Sequence, residues 1–231
     1  MRQHRILLVE DEADVADMIA THLRIAGYET RRADSGSQAL LAARKSCPDL
    51  VLLDIMLPDM SGFEVCRLLR ERPESASIPI IVLSARGEDA DRIRGLESGA
   101  DDYIVKTASP KEILLRIQAV LRRVRSDGLP LAPLKADRLE IDPGARRVHF
   151  KGREIPVTAL EFRLLHTLMA RSGRVQTREI LLRDVWGASP DMTTRTVDTH
   201  VKRLREKLGE AGTYITTVRG AGYRFEPPKP A

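Results

Sequence analysis

Short apolar runs with few polar interruptions recur through the first half of the chain. Four of them are "RILLVE" (5–10), "DLVLLD" (49–54), "IPIIVLS" (78–84) and "DYIVK" (102–106). Runs that are apolar on both faces are typical of buried parallel strands. A fifth and more polar run, "GYETRRA" (27–33), predicts a strand towards an edge of the same sheet.

Helical patterns alternate with these strands. The clearest spans residues 110–124, where Pro110 suits the first turn and one stripe of the helix is apolar. The stripe consists of Ile113, Leu114, Ile117, Val120, Leu121 and Val124. Five strands that alternate with five helices predict a doubly wound α/β domain with a five-stranded parallel sheet over residues 1–124.

The pattern changes after this first domain. Residues 125–136 contain Pro, Gly and Ser without periodicity and predict a linker. Residues 137–157 then alternate like an antiparallel meander, and a capping box of Thr158 and Glu161 opens the first of three helical segments. A final pair of strands surrounds a Gly-Ala-Gly turn. Together these features predict a winged helix-turn-helix α+β domain over residues 137–231.

The composition is that of an ordinary soluble protein, with 42% apolar and 31% charged residues. No apolar run approaches the roughly 20 residues of a membrane span. Acidic residues interrupt residues 1–20, so we expect no signal peptide, no membrane partner and a cytoplasmic location. Cys47 and Cys66 are too few for a zinc site and are predicted to be small apolar filler.

Charge is distributed unevenly along the chain. Residues 1–125 contain 19 Lys and Arg against 20 Asp and Glu, a net charge of −1. Residues 126–231 contain 19 against 13, a net charge of +6. A basic domain favours a polyanionic partner, which makes the second half the candidate for nucleic-acid binding.

Polar residues follow the apolar runs at the points where the predicted strands end. They are Glu10, Asp11, Asp54, Ser84 and Lys106. Because the carboxyl ends of parallel strands meet at one edge of a sheet, we expect these side chains to lie together.

Such a crevice contains three carboxylates, which repel each other unless a cation offsets their charge. Mg²⁺ takes oxygen ligands and is the natural candidate, while Lys106 adds one fixed positive charge. A carboxylate nucleophile beside a metal and a lysine suits phosphoryl transfer better than general acid–base catalysis.

Several segments resemble the receiver domain of two-component response regulators. They are "ILLVEDE", "DLVLLDIMLPDMSGFEVCRLLR", "PIIVLSARGEDADRIRGLESGADDYIVK" and "SPKEILLRI". The second half is similar to the winged-helix effector of the OmpR/PhoB family, and the resemblance covers nearly the whole chain. It implies a flavodoxin-like receiver fold and a phosphorylation-controlled transcriptional regulator that is not an enzyme.

The resemblance implies a role for each residue of the crevice. Asp54 accepts a phosphoryl group from the phosphohistidine of a sensor histidine kinase. The implied Mg²⁺ ligands are Glu10, Asp11, Asp54 and the backbone carbonyl of Met56. The implied phosphoryl-contact and switch residues are Ser84, Lys106 and Tyr103.

Phosphorylation is implied to promote a homodimer through the fourth and fifth helices and the fifth strand of the receiver. The implied interface residues are Arg92, Glu112, Asp101, Asp102, Arg116 and Arg123. Within this set, Arg92 is expected to pair with Glu112, and Asp102 with Arg116, across the interface. Exposed ion pairs are worth about 0–1 kcal/mol each, but several together set register and partner choice.

The segment "TTRTVDTHVKRLREKL" (193–208) predicts a helix with one buried and one basic face. The buried stripe contains Val197, Val201, Leu204 and Leu208. The opposite face carries Arg195, Thr199, Lys202, Arg203 and Glu206. A helix of this kind fits the DNA major groove, and Arg219, which precedes the Gly-Ala-Gly tip, is placed to enter a minor groove.

The resemblance implies double-stranded promoter DNA as a partner, together with RNA polymerase. The implied base-edge contacts are Arg203, Thr199 and Asp198. The implied phosphate contacts are Arg195, Thr196, Lys202, Arg205 and Tyr223, with Arg219 as the minor-groove arm. His200 is interpreted as a phosphate or packing residue, and Trp186 is predicted to pack between the second helix and the following loop.

Two alternatives remain open. An aspartyl-phosphate phosphotransferase enzyme needs an acid two residues after Asp54, where this chain has Met56. An atypical regulator would bind DNA independently of phosphorylation, and the unusual residues 106–108 keep that alternative open.

Those residues are Lys-Thr-Ala, whereas the receivers that this chain resembles have Lys-Pro-Phe with a cis peptide bond before proline. A cis bond before a non-proline residue costs about 2.5–4 kcal/mol, against about 0.5–1 kcal/mol before proline. We nevertheless predict a cis Lys106–Thr107 bond, because active sites hold such strain. A trans bond would aim the lysine differently.

Overall fold

The computed structural model of the protein describes residues 3–72, 74–84, 98–124, 132–187 and 194–228, without the side chains at 123 and 124. The chain divides into two compact units, residues 1–122 and 123–231. Within the described ranges, no helix has both the length and the apolar character that crossing a membrane requires.

The first unit is built on a parallel sheet whose strands run in the order β2-β1-β3-β4-β5. The strands are β1 (Arg5–Val9), β2 (Glu29–Ala33), β3 (Leu50–Asp54), β4 (Ile80–Ser84) and β5 (Asp102–Val105). The more polar strand β2 lies at an edge, as its sequence predicts. The sheet confirms the predicted doubly wound fold.

Helices cover both faces of this sheet. They span Ala13–Ile25, Gly36–Ser46, Gly62–Glu71 and Pro110–Val124. Alternate residues of the strands point to opposite faces of the sheet and pack in two separate apolar cores. Leu7 and Leu53 belong to the core on one face of the sheet, and Leu8 and Leu52 to the core on the other. The helix predicted between β4 and β5 falls on residues 85–97, outside the described ranges.

The second unit opens with an antiparallel sheet in the order β6-β7-β8-β9. Its strands are β6 (Leu134–Ala136), β7 (Leu139–Asp142), β8 (Arg147–Phe150) and β9 (Arg153–Ile155). Strand β6 lies inside the segment 125–136 that the sequence assigned to a linker. Its backbone pairs with β7, and a tight turn in which Asp137 has φ of +53° connects the two strands. The irregular composition of residues 125–136 did not indicate this strand.

Three helical segments and a second sheet complete this unit. The helices span Ala159–Ala170, Arg178–Leu181 with a π-helical turn Leu182–Trp186, Thr194–Leu208 and a final 3-10 turn Gly209–Tyr214. Strands β10 (Gln176–Thr177), β11 (Ile215–Val218) and β12 (Gly222–Phe225) pair in the order β10-β12-β11. The capping box of Thr158 and Glu161 and the C-terminal hairpin are both confirmed, and with them the winged-helix fold.

Candidate functional site

Three carboxylates meet at the carboxyl end of the parallel sheet. Glu10 and Asp54 are buried, with 2% and 1% of their surface exposed, while Asp11 is exposed. One oxygen from each of the three lies within 4.8 Å of the others. The strand ends therefore bring together the acidic residues that the sequence predicted to be neighbours.

Lys106 follows β5 and reaches into this cluster. Its Nζ lies 2.9 Å from Glu10 Oε1 and 2.9 Å from Asp54 Oδ2, and 3.4 Å from Glu12 Oε1. Burial lowers the pKa of Lys106, but the hydrogen bonds to Glu10 and Asp54 outweigh it and leave the pKa raised. The lysine is thus a permanent cation that offsets part of the carboxylate charge.

Each buried carboxylate keeps one oxygen with no hydrogen bond to any described residue. These atoms are Glu10 Oε2 and Asp54 Oδ1. Burial raises the pKa of Glu10, and the nearby charge of Asp54 adds to the effect, although hydrogen bonding to Lys106 opposes it. Two buried oxygen ligands without a partner, beside a third exposed carboxylate, fit the oxygen donor set that Mg²⁺ requires.

The backbone after Asp54 turns sharply into helix Gly62–Glu71. Gly62 N donates to Ile55 O at 2.8 Å, and a Cβ added at Gly62 would lie only 2.0 Å from Asp54 O. Met56 is 71% exposed, and the predicted ligand role of its backbone carbonyl stays a prediction. The sequence analysis missed Gly62, whose position three residues before Val65, the start of a buried helical stripe, was the available signal.

Asp59, also missed, ties the same loop to the neighbouring helix. Its carboxylate accepts hydrogen bonds from Gly36 N (2.8 Å), Ser37 N (2.9 Å) and Ser37 Oγ (2.7 Å). The hydrogen bonds with Ser37 lower the pKa of Asp59 to about 2. Hydrogen bonds to Asp59 therefore join the first turn of helix Gly36–Ser46 to the loop that follows Asp54.

Ser84 and Tyr103 are both buried near this edge of the sheet, at 3% and 5% exposure. Ser84 ends β4, and its carbonyl accepts from Lys106 N at 2.6 Å. Tyr103 packs in the core that contains Leu53 and Val82. Their switch roles stay predictions.

The prediction of a cis Lys106–Thr107 bond is wrong, because the described chain contains no cis peptide bond. The trans backbone continues the pairing with β4 through the Lys106 N–Ser84 O bond and then turns, with Ala108 N donating to Val105 O at 2.8 Å. With this geometry the lysine still reaches both buried carboxylates. A trans bond therefore does not redirect the side chain away from the site.

Asp101 has an internal partner instead of an exposed position. It is 2% exposed, and its Oδ2 accepts from Arg70 Nη2 at 2.7 Å and from Ile80 N at 2.8 Å. Arg70 also donates to the carbonyls of Gly99 (2.9 Å) and Ile78 (2.6 Å). Within one chain Asp101 is therefore a buried partner of Arg70, and its predicted dimer role stays a prediction.

The other predicted interface charges pair within the chain. Arg116 Nη1 lies 3.6 Å from Asp102 Oδ1, and Arg116 Nη2 donates to Glu112 Oε1 at 3.1 Å. Asp102 is buried, whereas Glu112 is exposed enough to meet a partner. Arg92 lies outside the described residues, as does the side chain of Arg123.

Helix Thr194–Leu208 has the two faces that the sequence predicts. Its buried side includes the predicted residues Val197, Val201, Leu204 and Leu208. Arg195 and Lys202 are exposed, and Thr199 and Arg203 are half-buried. Arg219 is exposed beside Gly220, at the tip of the β11–β12 hairpin.

Two residues near the start of this helix face inward. Thr196 is 1% exposed and lies beside Val197, and its predicted phosphate contact stays a prediction. His200 is 2% exposed, and its ring lies 5.1 Å from that of the fully buried Trp186. His200 and Trp186 are therefore packing residues.

Three further predicted DNA contacts are engaged with one another. Tyr223 is 4% exposed, and its hydroxyl donates to Asp198 Oδ1 at 2.6 Å. Arg205 donates through Nη2 to Ile215 O at 2.7 Å. Asp198 accepts the hydrogen bond of the Tyr223 hydroxyl, and the predicted phosphate contact of Tyr223 stays a prediction. Arg178, which the sequence analysis missed, donates through Nε to the same Asp198 oxygen at 2.7 Å.

Two protein families match the two units. Residues 6–118 match the family described as "Response regulator receiver domain". Residues 152–225 match the family described as "Transcriptional regulatory protein, C terminal".

Relatives match along the whole chain. The DNA-binding response regulator MtrA of Mycobacterium tuberculosis is 46% identical over 231 residues, which covers 99% of both chains. The phosphate regulon transcriptional regulatory protein PhoB of Pseudomonas aeruginosa is 45% identical, covering 95% of this chain and 96% of its own.

Solved structures agree with these matches. A RitR mutant has a TM-score of 0.78 at 31% identity, covering 97% of this chain and 100% of its own. DrrB of Thermotoga maritima, described as an OmpR/PhoB homolog, has a TM-score of 0.51 at 31% identity with the same coverage. The chain therefore belongs to the OmpR/PhoB family of DNA-binding response regulators of two-component systems, with a receiver domain followed by a winged-helix domain.

Proposed function

We propose that Asp54 is the phosphoacceptor of the receiver domain and that a sensor histidine kinase is the donor. The observation that carries this proposal is the state of the two Asp54 oxygens: Oδ2 is bound by Lys106, and Oδ1 is buried without a hydrogen bond. In the transfer, the phosphorus–nitrogen bond of a phosphohistidine breaks and a phosphorus–oxygen bond to Asp54 forms. Lys106 offsets charge on the phosphoryl oxygens, and the Ser84 hydroxyl hydrogen-bonds one of them.

Glu10, Asp11 and Asp54, with the backbone carbonyl of Met56, would hold Mg²⁺ in this crevice. When bound, the ion neutralises negative charge on the transferred group. The unpartnered Glu10 Oε2 and Asp54 Oδ1 support this assignment.

Phosphorylation acts by biasing a two-state surface of the receiver, in which Ser84 and Tyr103 rearrange. We propose that the biased state dimerises through a face that includes Glu112, Asp102 and Arg116. Asp102 and Arg116 already pair within one chain, so dimerisation exchanges this internal pair for one with the second copy. The dimer then binds promoter DNA through helix Thr194–Leu208 and presents the promoter to RNA polymerase.

The test is mass spectrometry of the intact protein after incubation with a small phosphodonor and Mg²⁺. The parent should gain one phosphoryl group, and chelation of Mg²⁺ with EDTA should abolish the gain. Asp54→Asn should gain none, because the amide is a poor nucleophile and the acceptor carboxylate is gone.

Asp34→Asn is the matched control, since Asp34 also follows a strand end but is exposed on the β2 side, outside the cluster. It should be phosphorylated like the parent. An adduct that forms on Asp54→Asn at the parent level would overturn the assignment of Asp54.

A further inference from the structure

Asp59 lies in the loop of residues 55–61, which connects strand β3 to helix Gly62–Glu71. It is exposed at the surface, yet its carboxylate makes three hydrogen bonds to one neighbouring helix. Oδ1 accepts from Gly36 N at 2.8 Å, and Oδ2 accepts from Ser37 N at 2.9 Å and from Ser37 Oγ at 2.7 Å. Both carboxylate oxygens are therefore bound to the first two residues of helix Gly36–Ser46.

The start of a helix is a favourable place for such a carboxylate. The first four N–H groups of an α-helix have no partner within the helix, and a negative charge complements the positive end of the helix dipole. The helix already has an N-cap, because the side chain of Ser35 accepts from Gln38 N. What Asp59 adds is a connection between the helix and the loop. Hydrogen bonds with Ser37 lower the pKa of Asp59 to about 2, so the connection persists at neutral pH.

The chain between Asp59 and Met56 has few ways to change its conformation. Pro58 has a fixed φ, and a proline also restricts the residue before it, here Leu57, to extended conformations. Leu57 and Met60 pack against the apolar core on one face of the sheet. Apolar contacts are not directional, so they hold the loop against the core, whereas the hydrogen bonds of Asp59 also fix its orientation.

The other end of the loop is bound to the edge of the sheet that carries the acidic site. Ile55 N donates to Leu83 O at 3.2 Å, and Gly62 N donates to Ile55 O at 2.8 Å. The Met56 carbonyl, a Mg²⁺ ligand under the proposed function, lies between this end and Asp59. Mg²⁺ requires nearly ideal octahedral geometry with oxygen ligands at about 2.0–2.1 Å, so a small displacement of one ligand weakens binding.

We propose that Asp59 is a positioning residue of the Mg²⁺ site: by binding the start of helix Gly36–Ser46, it holds the Met56 carbonyl where it can ligate the ion. Asp59 itself does not touch the ion. The inference rests on the proposed Mg²⁺ site, and it assigns to this chain a residue outside the ligand set that determines how tightly the ion binds.

The first test is calorimetric titration of the full unphosphorylated chain with MgCl₂, at about 0.15 M KCl so that distant charges are screened. Asp59→Ala should bind Mg²⁺ about 10-fold more weakly, as is typical when a group that orients a metal ligand is removed. Ser37→Ala removes one of the three hydrogen bonds and keeps the charge of Asp59, so it should cause a smaller loss. Asp34→Asn removes an exposed negative charge just before the same helix and should leave the affinity unchanged.

An unchanged affinity in Asp59→Ala overturns the positioning role. So does an equal loss in Asp34→Asn, since the effect would then come from the removal of any negative charge in this region. Circular dichroism shows whether each variant is folded. If Asp59→Ala does not fold, Ser37→Ala decides the question, and an affinity equal to that of the parent then overturns the proposal.

The second test separates this inference from the proposed function. Asp11→Asn should lose Mg²⁺ binding, and a parent-like affinity in this variant would show that the proposed site is wrong, and the inference with it. In the ¹⁵N spectrum of the parent, the amide of Leu57, which shares a peptide group with the Met56 carbonyl, should shift when MgCl₂ is added. Binding that is lost in Asp11→Asn but leaves the Leu57 signal of the parent unmoved overturns the inference alone.

Discussion

Arg70 and Asp101 form a nearly buried ion pair in the receiver domain, with Arg70 Nη2 at 2.7 Å from Asp101 Oδ2. Their side chains are 10% and 2% exposed. Both side chains make further hydrogen bonds: Arg70 donates to three backbone carbonyls, and Asp101 accepts from Ile80 N. The pair joins the last turn of helix Gly62–Glu71 to the chain just before β5.

Removing one member of this pair should be costly. Arg70→Ala leaves the Asp101 carboxylate buried without its cation, and the expected loss is about 3–5 kcal/mol in the free energy of unfolding. Urea denaturation followed by circular dichroism measures it. Arg67→Ala is the control on the same helix, since Arg67 pairs with Glu64 and Glu71 on an exposed face and should matter far less. Equal losses in the two variants would contradict the buried pair.

Gly62→Ala should disturb the phosphoacceptor. Its Cβ would lie 2.0 Å from Asp54 O, so strand β3 or the helix must shift. We expect a loss of at least about 1–3 kcal/mol in unfolding free energy, together with slower phosphorylation from a small phosphodonor. Gly144→Ala, whose Cβ would meet only Asp142 Oδ1 at 3.3 Å, should be close to neutral. Normal phosphorylation of Gly62→Ala would show that the contact does not position Asp54.

Alkaline pH should destabilise the DNA-binding domain through two tyrosines. Burial and a hydrogen bond to an aspartate raise the pKa of both Tyr214 and Tyr223 from 10.0 to about 12. The folded state therefore holds these protons more tightly than the unfolded state. Their contribution to stability is complete below pH 10 and is lost as pH rises from about 10 to about 12.

Urea unfolding at a series of alkaline pH values measures this loss. Tyr223→Phe removes one of the two groups, so its stability should fall less steeply across the same pH range. A slope identical to that of the parent would contradict the raised pKa of Tyr223.

Two neighbouring residues of helix Thr194–Leu208 should affect DNA binding in different ways. Arg203→Ala should reduce the preference for a duplex selected in vitro by the parent protein, by about 1–3 kcal/mol, because arginine is suited to pair with guanine. Lys202→Ala should weaken binding to selected and scrambled duplexes equally and reduce the salt slope. Fluorescence anisotropy with both duplexes separates the two effects. Equal loss on both duplexes in Arg203→Ala would count against its role in base recognition.

The sequence predicted the acidic site well because each of its residues is the first polar group after a buried strand. The parallel topology then places Glu10, Asp54 and Lys106 together without further information. Arg70 was not predictable in this way, because an arginine on a helix resembles a solvated surface charge until its partner, 31 residues later, is seen to be buried.

For helix Thr194–Leu208, sequence reasoning correctly predicted which residues at the centre of each face are exposed or buried. It did not predict the burial of residues at the border between the two faces. Arg195 and Lys202 are exposed as predicted, but Thr196 lies one residue from the exposed face and is buried. The burial of Tyr223 was not predictable, because its environment is set by Arg178 and Asp198, which come from other elements. Helical periodicity contains no information about contacts of that kind.

Helix Gly62–Glu71 makes a close contact with another part of the receiver domain near each of its ends. At its first residue, Gly62 lies against the Asp54 carbonyl without room for even a methyl group. Near its far end, about 12 Å away by helical rise, Arg70 is paired with Asp101, the residue before β5. The same helix therefore joins the backbone of Asp54 to the chain that leads into Asp102, through one close contact and one buried ion pair.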